Sequence, residues 1–365
     1  MVPKMGLLMP ALFLLMVQLG HVLTLEPNEP CVDPNGQSGS CVFLRECPAF
    51  VAIFSQGVVS PDQTEFVQSS RCGSSGGKPL LCCAGINVAN RVSGSSALPK
   101  PPNCGIDLAD RIVGGQPTAL DEYPWATLIN YRKPNGNTGF HCGGSLINSR
   151  YVITAGHCIN AIPRGWTVIG VRLGEYDLKH DGQDCLESEC ADVPVDVDVE
   201  KIIVHEEYNP QNKNQYNDIA LIRMVRDVSF SSYISPICLP VAPAERNKNN
   251  VGTKAVAAGW GRTETASQSS VKLKVELDIT DFNKCASVYR NSQVTLRDTQ
   301  LCAGGLRGKD TCSGDSGGPL MKRVVGNIYL YGIVSFGPNK CGTKDVPGVY
   351  TNVPKFIDWI QAKLQ

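Results

Sequence analysis

Three short segments contain residue types that together could make a serine hydroxyl reactive: TAGHC at 154–158, NDIAL at 217–221 and GDSGGP at 314–319. A serine hydroxyl is a poor nucleophile near neutral pH, so it needs a neutral imidazole to accept its proton. A buried carboxylate must then orient that imidazole and stabilise it once it is protonated. His157, Asp218 and Ser316 supply one group of each kind, which predicts nucleophilic catalysis at an acyl carbon.

The glycines beside Ser316 have a physical reason of their own. Backbone N–H groups that point at a developing oxyanion need close approach, which bulky side chains would prevent. The N–H groups of Gly314 and Ser316 are therefore the candidate oxyanion-hole donors. A zinc-protease motif is excluded at His205, because EEY follows this residue where the motif requires E-x-x-H.

Short apolar segments bounded by Gly and Pro surround these residues from Ile112 onward. In VDVDV at 195–199 the apolar residues alternate strictly, which is typical of a half-buried strand. Many such segments over about 250 residues predict an all-β barrel or sandwich. The tail after Pro354 is the exception, since its apolar residues fall on one face of a helix.

The N-terminus has the pattern of an export signal. Lys4 precedes an apolar run of 14 residues at 6–19, which is short for a membrane span of about 20 residues. We expect a signal peptide over 1–24 and a secreted, extracellular product, with an uncleaved signal anchor as the alternative. No later segment is apolar enough to span a membrane. The 34 basic residues balance the 34 acidic ones, which is unlike a nucleic-acid binder.

The chain has sixteen cysteines, an even number that suits disulfides in an exported protein. Zinc binding is disfavoured by the adjacent Cys82 and Cys83 and by the absence of C-x-x-C pairs. Six cysteines lie within 31–83, a unit too small to bury much core without crosslinks, and their connectivity stays open from spacing alone. Residues 84–111 are rich in Gly, Ser, Pro and Asn, which is typical of a linker.

The segment IVGG at 112–115, followed in order by TAGHC, DIAL and GDSGGP, resembles the trypsin/chymotrypsin family over 112–365. The resemblance implies a chymotrypsin-like double six-stranded β-barrel with a C-terminal helix, a site in the cleft between the barrels and no cofactor for catalysis. All three triad positions match the family, which disfavours an inactive homologue. Gly156 stands where the family usually has Ala, and we expect little consequence because the methyl would lie beside the histidine.

The resemblance also predicts which peptide bond is cut. Asp310, six residues before Ser316, matches the base of the primary specificity pocket, and its carboxylate would favour a long cationic side chain. Gly337 and Gly348 match the pocket walls, and Ser335 matches a substrate-binding position. We therefore expect cleavage after Arg or Lys.

Activation follows from the same resemblance. Arg111-Ile112 is a basic cut site ahead of IVGG, and an upstream trypsin-like protease would cut there. The freed Ile112 ammonium would pair with Asp315 and hold the oxyanion hole in shape. The family implies three bonds within the protease domain, a tether between the two cut chains and one local bridge: Cys142–Cys158, Cys285–Cys302, Cys312–Cys341, Cys104–Cys238 and Cys185–Cys190.

Six cysteines ending in an adjacent pair, then a linker, resemble the arthropod clip-domain proteases. This implies a clip domain over 30–83 with bonds 31–82, 41–72 and 47–83. Prophenoloxidase-activating and easter-like enzymes are of this type, so we expect a zymogen in an innate-immune cascade, in melanisation or in Toll-ligand processing. The expected partners are protein substrates (a downstream zymogen or a cytokine precursor), the upstream activator and a serpin inhibitor. The clip domain could dock partners or only cap the fold.

An acidic loop at 174–190 offers oxygen ligands that suit calcium. Clip relatives place calcium here with a Glu and an Asp two residues later, which match Glu175 and Asp177, and Asp184 is a third candidate ligand. A solvated acidic loop is the alternative.

Two other functions compete with the enzyme. One is a catalytically weak adaptor, which is disfavoured because Ser316 is present. The other is a digestive trypsin, which is disfavoured by the clip-like module and by Cys104.

Overall fold

The computed structural model of the chain describes residues 25–55, 61–75, 78–84, 98–101, 103–106, 116–186, 189–262, 268–305, 314–324, 326–338 and 343–364. The signal peptide expected at 1–24, the cut site Arg111-Ile112, the pocket residue Asp310 and the expected Cys312–Cys341 bond lie outside these stretches. Within them, no helix has the length and apolar character needed to cross a membrane.

The N-terminal module is a small antiparallel sheet flanked by two helices. Its elements are β1 (Pro30–Val32), β2 (Ser38–Phe43), α1 (Pro48–Ser55), α2 (Pro61–Ser69), β3 (Arg71–Ser75) and β4 (Lys78–Ala84). The strand order is β1-β2-β4-β3. Three disulfides, Cys31–Cys82, Cys41–Cys72 and Cys47–Cys83, have the pairing that the clip-domain resemblance implies.

The adjacent cysteines of β4, Cys82 and Cys83, can bond to different partners because of the strand geometry. Successive residues of a strand point to opposite faces of the sheet. Cys83 therefore packs with Val42 and Phe50 on one face, whereas Cys82 packs with Leu80 on the other. The two faces of this small sheet are thus fixed by different crosslinks, which supply stability that so small a core lacks.

The first barrel is formed by strands that lie between residues 126 and 224, after the expected cut site. The elements of this part of the chain, four of which lie outside the barrel, are β5 (Gln116–Pro117), β6 (Ala126–Arg132), β7 (Thr138–Leu146), β8 (Tyr151–Thr154), α3 (His157–Asn160), β9 (Thr167–Leu173), β10 (Cys185–Leu186), β11 (Glu189–Cys190), β12 (Val195–Val204) and β13 (Ala220–Met224). Six of these strands close in the order β12-β13-β8-β7-β6-β9. In β12, Val197 is buried while Asp196 and Asp198 are exposed, as the alternation predicts.

The second barrel follows from residue 254. Its elements, with the preceding helix, are α4 (Pro243–Arg246), β14 (Lys254–Gly259), β15 (Leu273–Thr280), α5 (Phe282–Arg290), β16 (Gln300–Ala303), β17 (Pro319–Val324), β18 (Asn327–Phe336), β19 (Gly348–Asn352) and α6 (Ile357–Lys363). The strand order is β14-β17-β18-β19-β16-β15, pairing between β14 and β15 closes the barrel, and β5 adds to β15. The expected double six-stranded barrel is confirmed.

The helix predicted after Pro354 is also confirmed. A 3-10 turn at Val353–Phe356 leads into α6. Phe356, Ile357 and Ile360 are buried, and they belong to the large apolar cluster that contains residues of both barrels. The helix therefore covers the core where the two barrels meet.

Disulfides link the loops of the two-barrel region. Cys142–Cys158, Cys185–Cys190 and Cys285–Cys302 form as the resemblance implies. Cys104 bonds to Cys238 across 134 residues, and its surroundings reinforce the link. Gly105 N–H donates to the carbonyl oxygen of Pro236 at 2.8 Å, and Ile328 N–H donates to that of Gly105 at 2.7 Å.

Candidate active site

His157 and Asp218 are brought together by strand pairing in the first barrel. β8 and β13 are antiparallel neighbours in which Thr154 lies opposite Ala220. His157 follows the end of β8 by three residues, and Asp218 precedes the start of β13 by two. Because the end of one strand meets the start of its antiparallel partner, the two side chains extend from the same end of the sheet.

The Asp218 carboxylate is completely buried and fully hydrogen-bonded. Its Oδ1 accepts from the backbone N–H of His157 at 2.7 Å, and its Oδ2 lies 2.8 Å from His157 Nδ1. The hydroxyl of Ser335 donates to Oδ2 at 2.5 Å, and that of Thr351 donates to the carbonyl oxygen of Asp218 at 2.6 Å. With Nδ1–H donating to the carboxylate, Nε2 of His157 is left as the proton acceptor.

The charges of this pair stabilise each other. Burial by itself raises the pKa of the Asp218 carboxyl, but the charge of His157 and the hydrogen bonds from His157 and Ser335 hold that pKa below its ordinary value. Burial by itself lowers the pKa of His157, but the attraction and hydrogen bond of Asp218 outweigh it and raise the pKa. Asp218 is therefore ionised at neutral pH, and the protonated imidazole is stabilised beside it.

Ser316 lies in a turn just before β17 whose backbone requires glycine. Gly314 and Gly317 have φ angles of 101° and 76°, which side-chain-bearing residues rarely adopt. A Cβ at Gly317 would lie 2.2 Å from Thr154 Oγ1 and 2.6 Å from the carbonyl oxygen of Gly143. The turn is fixed to both barrels, since Gly143 N–H donates to the carbonyl oxygen of Ser316 at 2.8 Å and Gly317 N–H donates to that of Val334 at 2.9 Å.

The structure thus pairs two of the three predicted catalytic residues directly. Among the described residues, no hydrogen bond joins the Ser316 hydroxyl to His157. The Nε2 atom of His157 instead lies 3.7 Å from Cys158 Sγ. The serine is held near the pair through its backbone, because Gly143 accepts from Thr154 Oγ1 at 2.8 Å while donating to Ser316.

Asp315, the residue before the serine, lies against Gly259, which ends β14, and against Gly261, two residues later. Its Oδ1 accepts from Gly261 N–H at 2.9 Å. A Cβ at Gly259 would lie 2.5 Å from Oδ1, and one at Gly261 would lie 2.4 Å from Cγ. Between these glycines, Trp260 Nε1 donates to the carbonyl oxygen of Tyr176 at 2.9 Å. The backbone around Asp315 is therefore connected to the acidic loop of the first barrel.

The predicted pocket walls face each other at the ends of β18 and β19. A Cβ at Gly337 would lie 3.8 Å from Gly348 Cα, so the absence of side chains keeps this gap open. Phe336, between the wall and Ser335, makes an edge-on contact with Tyr289 at 5.6 Å between ring centroids. Asp310 lies outside the described residues, and its position relative to these walls stays a prediction.

The candidate calcium ligands cluster in a partly buried loop. Glu175 is 1% exposed, and its carboxylate contacts Arg172 Nη1 at 3.2 Å. Asp184 is 4% exposed, and its Oδ2 accepts from Asp177 N–H at 2.9 Å. Asp184 Oδ1 is buried without a hydrogen-bond partner. His180 Nδ1 lies 3.8 Å from that oxygen, which is too long for a hydrogen bond.

The part of the chain that the structure describes has one close group of three potential metal-ligand atoms. Only Cys142, His157 and Cys158 place three ligand atoms within 4.8 Å of one another. The two cysteines form a disulfide, so they offer no thiolate to a metal. The oxygens of Glu175, Asp177 and Asp184 are not gathered within that distance, although their chemistry suits a hard cation.

Several residues of the site were not found from the sequence. Thr351 fixes the backbone of Asp218, yet it lies 133 residues away in a strand with no motif. Tyr208 packs under Gly156, where an added Cβ would lie 3.0 Å from Tyr208 Cδ1 and 3.3 Å from Asp218 Oδ1. A methyl there would press on the orienting carboxylate as well as lie beside the histidine, which differs from the sequence-based expectation.

Comparisons with known proteins agree with this architecture. The trypsin family model matches residues 112–360, and the model of the regulatory CLIP domain of proteinases matches residues 31–83. CLIP domain-containing serine protease B4 of Anopheles gambiae is 55% identical over 340 residues, or 93% of each chain. Melanization protease 1 of Drosophila melanogaster is 40% identical in an alignment that covers 91% of this chain and 92% of the relative.

A solved structure extends the likeness to the fold. The crystal structure of the Drosophila clip serine protease Grass of the Toll pathway covers 92% of this chain and 97% of its own. Its TM-score is 0.62, and its sequence is 31% identical. The chain therefore belongs to the trypsin family of serine proteases, with an N-terminal regulatory CLIP domain.

Proposed function

We propose that the chain is a secreted trypsin-like serine endopeptidase zymogen that becomes active when it is cut after Arg111. The observation that carries this proposal is the buried Asp218 carboxylate hydrogen-bonded to His157 Nδ1 at 2.8 Å, beside a glycine-shaped turn that presents Ser316. This arrangement leaves Nε2 free to accept a proton, which is the requirement for activating a serine hydroxyl.

The reaction would proceed in two acyl-transfer steps. The Ser316 hydroxyl attacks the carbonyl carbon while His157 Nε2 takes its proton, and the oxyanion accepts hydrogen bonds from the N–H groups of Gly314 and Ser316. The tetrahedral intermediate collapses with loss of the amine, which takes the proton from His157. Water then repeats the sequence on the acyl-enzyme and releases the acid, while Asp218 stays ionised throughout.

Activation would depend on Asp315. We expect the Ile112 ammonium, freed by the cut, to pair with this carboxylate and so fix the N–H groups of Gly314 and Ser316. A narrow crevice borders Asp315 and is lined by Leu128 and Trp260 among others. It has room for about one water molecule, so we expect the residues around Asp315 to rearrange when the new N-terminus enters.

Specificity for Arg or Lys would come from Asp310 at the base of the pocket between Gly337 and Gly348. A carboxylate in a partly desolvated slot attracts a guanidinium or ammonium group at the end of a long side chain. The names of the relatives support a place in innate immunity, because one is a melanization protease and another acts in the Toll pathway. The substrates would be a downstream zymogen or a cytokine precursor. A trypsin-like protease upstream would activate the chain, and a serpin would inhibit it.

The decisive test uses recombinant zymogen before and after cleavage at Arg111. Turnover is measured on a pair of peptide substrates that differ only by Arg or Phe before the scissile bond. We expect turnover of the Arg substrate alone, and only after the cut. The Ser316→Ala variant, cleaved in the same way, is the matched control and should be inactive.

The alternative, a catalytically weak adaptor, makes the opposite prediction. Correctly cleaved, disulfide-intact protein would then show no turnover of either substrate beyond that of Ser316→Ala. Equal turnover of Arg and Phe substrates would instead retain the enzyme and overturn the role of Asp310. The Asp310→Ser variant separates these outcomes, because it should lose Arg selectivity if the pocket is assigned correctly.

We also propose that the acidic loop holds a structural calcium ion through Glu175, Asp177 and Asp184. The unpartnered buried Oδ1 of Asp184 supports this, because a buried carboxylate oxygen without a partner is unfavourable. Burial and the charge of Asp184 raise the pKa of Glu175 although Arg172 acts in the opposite direction, so a bound cation would further stabilise the ionised carboxylate. Binding would draw these oxygens together and supply that charge.

Removal of calcium tests this proposal. We expect chelation with EDTA to lower the melting temperature of the zymogen, and added calcium to restore it. Asp184→Asn should abolish that difference, whereas Asp192→Asn, at an exposed site outside the cluster, should leave it unchanged. Identical melting curves with calcium and with EDTA would favour the solvated acidic loop.

A further inference from the structure

Charge is distributed unevenly along the first barrel. Residues 123–174 contain no Asp or Glu, although they include five Lys or Arg residues. The following segment, 175–207, contains twelve acidic residues and two lysines. In a chain whose net charge is zero, this contrast predicts a positive surface on one part of the barrel.

Two of these five cations are neutralised and three are not. Arg150 pairs with Glu200, and Arg172 pairs with Asp196. No carboxylate among the described residues pairs with Arg132, Lys133 or Arg164. The uncompensated charge therefore lies on the hairpin after β6 and on the turn before β9.

This charge is combined with an aromatic cluster that we call the basic–aromatic patch, formed by Tyr131, Lys133, His141 and Trp166. The His141 ring lies 5.5 Å from the Trp166 ring and 5.9 Å from the Tyr131 ring, both edge-on. Lys133 Nζ lies 5.0 Å from the centre of the Trp166 ring. His141 is exposed, and Lys133 and Trp166 are half-buried, so these three residues are open to solvent, whereas Tyr131 is buried.

The backbone holds the patch in place. β7 has a bulge at His141, since Cys142 lies opposite Ile129 while Phe140 lies opposite the next residue, Asn130. A bulge changes the direction of a side chain relative to the regular strand. The turn that carries Trp166 contacts the hairpin, because a Cβ at Gly165 would lie 2.9 Å from Pro134. The Tyr131 hydroxyl donates to the carbonyl oxygen of Cys158, beside His157, at 2.9 Å.

The position of the patch relative to the scissile bond follows from the strands on either side of Ser316. β18 and β19 lead to the pocket walls Gly337 and Gly348, whereas β7 reaches the serine from the other barrel through Gly143. A substrate whose side chain enters the pocket therefore crosses Ser316 toward β7. His141 is two residues before Gly143, on that side, and Tyr131 of the same cluster donates to the carbonyl oxygen of Cys158, the residue after His157.

We infer that the basic–aromatic patch binds a carboxylate side chain of the substrate segment that follows the scissile bond, within its first three residues. This inference rests on the proposed function, because it concerns the leaving half of the same peptide substrate. Lys133 provides the unpaired cation, and the face of Trp166 contacts the methylene groups of the bound side chain, while the buried Tyr131 supports His141 and Trp166 from the core. Charge complementarity of this kind selects partners and aids their approach.

The test uses the full chain cleaved after Arg111 and a set of internally quenched peptides. All contain the same Arg before the scissile bond, and Glu replaces Gln at the first, second or third residue after it. We expect one Glu position to raise kcat/KM about threefold to tenfold over the all-Gln peptide, the range for a partly exposed ion pair with aromatic contacts. The ratio should fall toward one in high salt, because the pair is partly exposed.

Variants assign the effect to the patch. In Lys133→Glu the ratio of Glu to Gln substrates should fall below one, and in Lys133→Gln it should fall to one. Lys284→Glu makes the same change of net charge at an exposed site on α5, and it should retain the wild-type ratio. Because each ratio is measured within one variant, a general loss of activity cancels.

The outcomes separate this inference from the proposed function. A ratio of one at all three positions in an enzyme that cleaves after Arg would overturn the inference and leave the proposed function intact. A Glu preference that Lys133→Glu retains, or that Lys284→Glu also loses, would overturn the assignment to the patch. No turnover of any peptide by cleaved protein would overturn the proposed function and the inference with it.

Discussion

The two barrels contribute to the active site in different ways. The first barrel supplies His157 and Asp218 from the ends of paired strands, and hydrogen bonds from side chains and backbone fix them. The second barrel supplies Ser316 in a turn whose shape depends on glycines with positive φ and on glycines that make room for Asp315. The base is therefore positioned by side-chain bonding, whereas the nucleophile is positioned by backbone geometry.

The His157–Asp218 pair and the Ser316 turn, the two halves of the site, should therefore be sensitive to different substitutions. Loss of a hydrogen-bonding group should impair the His157–Asp218 half and leave the backbone intact. Addition of a single methyl should impair the Ser316 half and leave the histidine pair intact. The second barrel also contributes side-chain bonding, because Ser335 and Thr351 donate hydrogen bonds to Asp218.

The largest effect is expected for Asp218→Asn, which keeps the shape but loses the charge and can hold the wrong tautomer of His157. We expect kcat for the Arg substrate to fall about 10⁴-fold with little change in KM, the loss seen for this change in a Ser-His-Asp triad. Steady-state kinetics on the cleaved protein measure both constants. Asp227→Asn, on the surface beside Arg150, is the matched control and should behave as wild type.

Gly261→Ala tests the other half. The added Cβ would lie 2.4 Å from Asp315 Cγ, so the carboxylate must move. Since Asp315 would support the oxyanion hole, we expect kcat to fall about 10²-fold to 10³-fold, the cost of losing one oxyanion donor. Gly182→Ala adds the same methyl where no heavy atom lies within 4 Å, and it should be neutral.

The readout that distinguishes the halves is the titration of His157, followed by NMR of its ring protons. In Gly261→Ala this titration should match wild type, because the change leaves the Asp218 hydrogen bonds in place. A shifted titration would show that the two halves are not independent and would contradict the comparison.

Ser335→Ala should have a smaller effect, since it removes one of several hydrogen bonds to Asp218. A hydrogen bond to a charged group contributes about 1.5–3 kcal/mol, so we expect kcat to fall about tenfold. The Ser335 hydroxyl lowers the pKa of Asp218, and that pKa should rise in the variant. Ser287→Ala, on the exposed surface of α5, is the control.

The sign of the stability change in Ser335→Ala follows from the same pKa. A carboxyl with a depressed pKa stabilises the fold above its unfolded-state pKa, and this contribution is lost as pH falls through the folded-state value. The variant should therefore be less stable than wild type near neutral pH, and the difference should close in acid. A difference that persists unchanged below both pKa values would assign the loss to packing rather than to charge.

The smallest effect is expected for Gly156→Ala. The added Cβ would lie 3.0 Å from Tyr208 Cδ1, so the ring must shift by a few tenths of an ångström. We expect the free energy of unfolding to fall by about 1 kcal/mol, a typical cost of slight overpacking. Thermal unfolding measures this, and Tyr208→Leu in the same chain should relieve it. An unchanged melting temperature would support the expectation drawn from the sequence alone.

The sequence was most informative where chemistry is local. TAGHC and GDSGGP place a catalytic residue type next to the glycines or cysteine that shape its backbone, so these segments could be recognised without the fold. The strict alternation in β12 likewise predicted which of its residues are buried. The double barrel itself came from the family resemblance, because short strands alone allow a barrel or a sandwich.

The supporting contacts could not be predicted, because they join residues far apart in the chain. Ser335 and Asp218 are 117 residues apart, and Trp260 and Tyr176 are 84 apart. No periodicity or motif records that their strands meet. The effect of a methyl at Gly156 is hidden for the same reason, since Tyr208 lies in a separate loop.

The Cys104–Cys238 bond has a consequence for how the cut molecule unfolds. Cleavage after Arg111 would divide the chain into two polypeptides, with Cys104 in the first and Cys238 in the second. Two polypeptides held only by noncovalent contacts would separate on unfolding, and their transition midpoint would depend on protein concentration. With this bond in place, unfolding remains unimolecular, so the stability of the cut form should not change on dilution.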